Sequence, residues 1–151
     1  MTRTPPPWDA GAFRTAIQSS LDAFVEHQAR QLAPLGEDAG RLVQAARGSV
    51  SGGKRLRAAF CFWGYRAVQP DVPDEPALLR ASAALELLHA SALVHDDYMD
   101  SSDTRRGRPA THKAFEALHR QAGWTGRNRI PKPLLSPPER SQPWLIAIFS
   151  A

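Results

Sequence analysis

Apolar residues recur at helical spacing along most of the chain. Phe13, Ile17, Leu21, Phe24 and Leu32, with Gln28 in register, predict an amphipathic helix over 9–32. A shorter helix is expected over 37–47, ending at Gly48. Leu56, Ala59, Phe60, Trp63 and Ala67 form the next helical stripe, over 53–68, and Pro70, Pro73 and Pro76 then mark a loop. The most apolar stretch is 77–101, where Leu78, Leu79, Leu85, Leu87, Leu88, Leu93 and Val94 fall on more than one face. That pattern predicts a buried helix, about 35 Å long at the usual rise per residue. A break at Arg105–Pro109 precedes a last helical pattern running to about residue 121. No alternating strand pattern of useful length and no internal repeat occurs. The expected fold class is all-α.

Composition narrows the picture. The 151 residues are 42% hydrophobic and 23% charged, which is ordinary for a globular protein of one domain or one large piece of a domain. A single cysteine, Cys61, excludes an intramolecular disulfide framework and a multi-cysteine zinc site. It reads as a core thiol among Phe60, Phe62 and Trp63. No uninterrupted run of 18 apolar residues occurs, so no transmembrane segment is expected. The N-terminus lacks an apolar core behind its first arginine, so a secretory signal is not expected either. A reducing cytoplasm is the expected compartment. The net charge of +4 invites a nucleic-acid reading, but Arg127, Arg129, Lys132 and Arg140 against Glu139 put +3 of it in residues 126–151. Only +1 remains for residues 1–125, which does not support a folded basic face, and no nucleic-acid partner is expected.

Three charged clusters carry the candidate chemistry. Gly52-Gly53-Lys54-Arg55-Leu56-Arg57 places two glycines ahead of a predicted helix, where exposed N–H groups and the helix dipole favour an anion. Lys54 and Arg57, three apart, are expected to share one side of the first turn. The alternative is a solvated, capped helix start, and the spacing is not that of a Walker A loop. Glu86, His89, Leu93, Asp96, Asp97 and Asp100 lie near one stripe of the apolar helix. Asp96 and Asp100 are one turn apart, and acids at a helix C-terminus oppose its dipole. A hard divalent cation such as Mg²⁺ would relieve that opposition, since it typically takes one or two carboxylates plus substrate phosphate oxygens. The alternative is an acidic helix end emerging into solvent. Arg105-Arg106-Gly107-Arg108 follows, suited either to a polyanion or to surface pairing with Asp100 and Asp103. His95 reads as a structural histidine, His112 and His119 as surface residues, and Trp8 and Trp124 as packing residues.

Taken together, GGKRLR at 52–57, ELLHASALVHDDYMD at 86–100 and DTRRGRPATH at 103–112 resemble the trans-isoprenyl diphosphate synthase (polyprenyl synthetase) family. They correspond to its GGKRxR segment, its first aspartate-rich DDxxD motif and the RRG that follows. The resemblance covers 9–125 and implies the N-terminal part of the isoprenoid synthase helical fold. It implies that Asp96 and Asp100 bind Mg²⁺ that bridges to an allylic diphosphate, with Asp97 as a supporting acid. Arg105 would contact the same diphosphate, while Lys54, Arg57, His89 and Arg106 would hold isopentenyl diphosphate. The implied reaction is prenyl transfer to isopentenyl diphosphate, extending the chain by five carbons. Small residues at Ser91 and Ala92, five and four positions before Asp96, imply a geranylgeranyl or longer product.

The sequence also departs from the family. The only acids after Asp103 are Glu116 and Glu139, so the family's second aspartate-rich motif is absent. Residues 127–151 are rich in proline and basic residues and end in an apolar run, Trp144 to Phe149. The expectation is a truncated or frame-shifted synthase. It would have a flexible N-terminus over 1–8, a family-like helical region over 9–125 and an unrelated basic tail over 126–151. An incomplete helical cavity leaves apolar surface open, so a homo-oligomer or a partner subunit is expected, inactive alone. The rivals are a non-catalytic partner of a complete synthase and, less favoured, a nucleic-acid-binding protein using its tail.

Overall fold

The computed structural model describes residues 9–123, in the order α1 (Ala10–Leu32), α2 (Glu37–Ser49), α3 (Leu56–Val68), α4 (Glu75–Met99), a hairpin of β1 (Thr104–Arg105) and β2 (Arg108–Pro109), and α5 (Thr111–Gln121). A single 3₁₀ turn, Ala33–Leu35, links α1 to α2. The all-α expectation holds. Expectations for residues 1–8, Trp8, Trp124 and the 126–151 tail lie outside the described residues. The chain forms two compact units, one ending at Leu87 and one starting at Leu88, so the change falls inside the sequence of α4.

In the first unit, Asp9 caps α1 by accepting from the N–H groups of Gly11 (2.8 Å) and Ala12 (2.9 Å). The buried face of α1 is Phe13, Ile17, Leu21, Val25 and Gln28, so Val25 rather than Phe24 continues the stripe. Glu37 and Asp38 open α2, both bound by Arg41, which suits the positive end of the helix dipole. Arg47 of α2 reaches Glu26 of α1 at 3.0 Å. Asp74 starts α4 by accepting from the N–H of Ala77 at 2.8 Å.

The α3 stripe needs correction. Its buried residues are Ala58 and Phe62, and the Phe62 ring meets that of Phe13 with centroids 5.3 Å apart. The apolar stripe read from the sequence is largely exposed at Leu56, Phe60 and Trp63, with Phe60 78% accessible. Helical periodicity identifies an apolar stripe but not which of two apolar faces is covered. Cys61 lies between the faces and is half-buried rather than a core thiol.

By length and mean hydropathy, α4 also qualifies to cross a membrane, a property missed by counting uninterrupted apolar runs because Arg80 and Glu86 break them. Glu86 is buried and ion-paired with Arg55, and Leu78, Ser82, Ala83 and Leu87 are buried beside it in the sequence. Of the apolar residues that predict a buried helix, Leu78 and Leu87 are buried, Leu79, Leu93 and Val94 are half-buried and Leu85 and Leu88 are exposed, so α4 is covered along only part of its surface.

Candidate functional site

The site residues divide between the two units. In the first, residues 52–55 form a turn, and only Leu56 and Arg57 of the motif lie in α3. Gly52 (φ +68°) and Gly53 (φ +105°) take left-handed backbone angles that a side chain disfavours. Arg55 is also left-handed, at φ +54°, and immediately precedes α3. The expected helix start at residue 53 is therefore three residues early. Lys54 and Arg57 do not share a first turn, since Lys54 precedes the cap and Arg57 lies inside α3; both are exposed. The glycine N–H groups are not both open to an anion either, because Gly52 donates to Gln18 Oε1 at 3.2 Å.

Arg55, which sequence reasoning passed over, is 5% exposed and points inward. It donates to Gln18, to the Val50 carbonyl at 2.5 Å and to Glu86 at 3.4 Å. Glu86 accepts the Ala58 N–H at 3.2 Å with its other oxygen. Its grouping with the metal-directed acids is corrected: Glu86 is a buried partner of α3. The signal lay in an arginine directly after two glycines and a lysine, but nothing in the spacing pairs residues 31 apart.

In the second unit, the C-terminus of α4 separates Asp97, expected as a supporting acid, from Asp96 and Asp100. Asp97 is 3% exposed and grips Arg105 of the hairpin through two bonds, one from Nε at 2.7 Å. That hydrogen bond, reinforced by the charges of Asp97 and Asp96, raises the Arg105 pKa against the opposing effect of burial. Arg105 is thus held cationic and oriented. Asp96 and Asp100 are exposed and lie one turn apart, with Asp100 N donating to the Asp96 carbonyl at 2.8 Å. Ser101 then turns left-handed (φ +57°), and Ser101 and Ser102 donate back to the carbonyls of Tyr98 and Asp97. This is a Schellman closure with serine where glycine is usual.

The hairpin pairs Arg105 with Arg108 across Arg106 and Gly107, both at positive φ as in a type I′ turn. Arg106 is exposed. Lys113 of α5 contacts Asp103 and Glu116, each at 3.4 Å, and these hydrogen bonds raise its pKa. His112 stands edge-on to Tyr98 at 5.6 Å and is half-buried, which corrects its reading as a surface residue; His119 is exposed. His89 and His95 are half-buried on α4.

Among the described residues, no group of three or more His, Cys, Asp or Glu side chains gathers as a metal cage. Two exposed carboxylates one turn apart remain at Asp96 and Asp100. They are hard oxygen donors, and two such donors fit a cation that completes its shell with water and phosphate oxygens.

A family model described as polyprenyl synthetase matches residues 40–122. The chain belongs to the polyprenyl synthetase family. Component 2 of heptaprenyl diphosphate synthase from Geobacillus stearothermophilus is 37% identical over 111 residues, covering 74% of this chain and 30% of that protein. Farnesyl diphosphate synthase from the same organism is 34% identical over 115 residues, 73% of this chain and 35% of that one. Geranylgeranyl pyrophosphate synthase from Corynebacterium glutamicum, solved with isoprenyl diphosphate and magnesium, superposes with a TM-score of 0.71 at 36% identity. That match covers 79% of this chain and 34% of that structure. The chain spans about a third of the length of these polyprenyl synthetases.

Proposed function

We propose that this chain serves isoprenyl chain elongation, the transfer of a prenyl group from an allylic diphosphate to isopentenyl diphosphate. The observation that carries the reading is the end of α4, where exposed Asp96 and Asp100 stand beside a buried Asp97 that holds Arg105. Asp96 and Asp100 would hold Mg²⁺, which when bound neutralises diphosphate charge and assists departure of that group. Arg105, fixed by Asp97, adds a guanidinium aimed at the same charge. Lys54, Arg57, His89 and Arg106 would bind the diphosphate of isopentenyl diphosphate. The isoprenyl diphosphate and magnesium with which the Corynebacterium enzyme is complexed support the ligand classes.

Ahead of the acids, Leu88 and Ala92 are exposed at spacings that share a stripe with Asp96. Such an apolar stripe suits a prenyl tail. Ala92, small and exposed, leaves room along it, which supports a product of geranylgeranyl length or longer. The 151 residues lack the second aspartate-rich motif, so we expect them to bind diphosphates but not to turn over alone. A second reading, a subunit within a two-part synthase, is favoured by the name of the Geobacillus relative, "component 2".

Incorporation of labelled isopentenyl diphosphate, with Mg²⁺ and an allylic diphosphate, tests the reading. The expected result is no turnover by the chain alone and turnover when the rest of a synthase is supplied in trans. In that mixture Asp96→Asn should abolish product, and unchanged product would overturn the metal assignment. Ala92→Phe should shorten the product, and unchanged length would overturn the length assignment.

A further inference from the structure

We propose that Arg55 and Glu86 are positioning residues for diphosphate binding, setting the turn that presents Lys54 and Arg57; this rests on the binding role assigned to those two residues above. Arg55 holds a left-handed backbone angle that arginine disfavours, and no side chain of its own caps α3. Such a conformation persists only where the surroundings over-determine it. Here its guanidinium is tied to Gln18 of α1, to the carbonyl of Val50 after α2 and to Glu86 of α4. Glu86 carries a second tie, accepting the Ala58 N–H in the first turn of α3 and serving as a cap supplied from another helix. Gln18 ties the other end of the turn through Gly52 N–H. Both ends of the segment are thus anchored by side chains from outside it.

The charge distribution follows from that anchoring. Arg55 is drawn inward and its charge is met by Glu86, both under 10% exposed. Lys54 and Arg57, on either side, remain exposed. The segment therefore offers two outward cations from three basic residues, on a backbone held at both ends. Pre-positioned cations bind a diphosphate without first ordering a loop.

The test measures binding of isopentenyl diphosphate and of inorganic pyrophosphate to the full 151-residue chain by calorimetry, with thermal melting of each variant. Lys54→Ala reads the underlying assignment and should weaken isopentenyl diphosphate binding at least tenfold. Arg55→Met with Glu86→Leu exchanges the ion pair for apolar groups of similar size, which is often neutral for the pair itself, while the Val50 carbonyl and the Ala58 N–H lose their partners. It should melt below the parent but fold, and in the folded chain bind about tenfold more weakly, with faster amide exchange over 52–58. Gln18→Ala, which removes the tether to Gly52 and Arg55 together with a bond to Asp22, should lower the melting temperature modestly and weaken binding severalfold in the folded chain, and it serves if the double variant does not fold. Parent-like affinity in the double variant, or in Gln18→Ala alone, overturns the positioning role while a defective Lys54→Ala leaves the binding site standing. Parent-like affinity in Lys54→Ala overturns both.

Discussion

Three non-glycine residues among those described adopt positive φ, namely Arg55, Ser101 and Arg106, and each lies inside or directly after one of the three charged motifs. A left-handed residue other than glycine costs about 1–2 kcal/mol, so its retention points to a side chain that is wanted there. Arg106 gives the clearest case, because the first position of its turn favours asparagine before glycine. Arg106→Asn should raise stability by about 0.5–1 kcal/mol in calorimetric melting. In the proposed role it should also weaken isopentenyl diphosphate binding about tenfold. The acids differ in the same way. Asp97→Asn removes a charge-assisted bond to Arg105, which is 39% exposed, so solvent reduces the loss to about 1 kcal/mol. Asp96→Asn removes a negative charge from a helix C-terminus and should leave stability unchanged or higher by about 0.3 kcal/mol. Denaturant titration of the two variants separates these outcomes. The sequence shows three aspartates with their spacing, whereas their division of labour depends on Arg105 folding back from the hairpin. Periodicity within a helix carries no information about that.

At the scale of elements, helix positions are largely legible, because α1 has one dominant apolar stripe, α2 a stop signal at Gly48 and α4 a long apolar stretch after Pro76. The helix α3 is legible as a helix but not in its start or its buried face. Its start is set by Arg55, whose left-handed angle is stabilised by partners 37, 5 and 31 residues away. Its buried face escapes the pattern because both faces are apolar, with Ala58 and Phe62 on one and Leu56, Phe60 and Trp63 on the other. The two faces make opposite predictions for substitution. Phe62→Ala empties a buried aromatic site in contact with Phe13 and should destabilise the chain by about 3 kcal/mol or more. Phe60→Ser, at a 78% exposed position, should change stability by less than about 0.5 kcal/mol. Equal losses at the two positions would place Phe60 in the core after all.

For the whole molecule, the charge that first suggests nucleic acid belongs mostly to residues 126–151, and the remainder is nearly neutral. The first unit holds an outward pair of cations at Lys54 and Arg57. The second holds the carboxylates Asp96 and Asp100 together with Arg105. In the proposed assignment the two diphosphates are therefore recognised by different chemistry, one by side-chain cations and one through a metal. A carboxylate pair repels a diphosphate unless a cation stands between them. Chelation of Mg²⁺ should accordingly weaken binding of an allylic diphosphate analogue at least tenfold, while isopentenyl diphosphate loses no more than about twofold. Titration calorimetry on the same preparation, with and without a chelator, checks this directly. Asp96→Asn combined with Asp100→Asn should remove most of the metal dependence, because without the two charges there is little left for the cation to neutralise. Equal sensitivity of both ligands to chelation would show instead that Lys54 and Arg57 also act on a metal-bound diphosphate, and that the split between a cationic and a metal-dependent site is wrong.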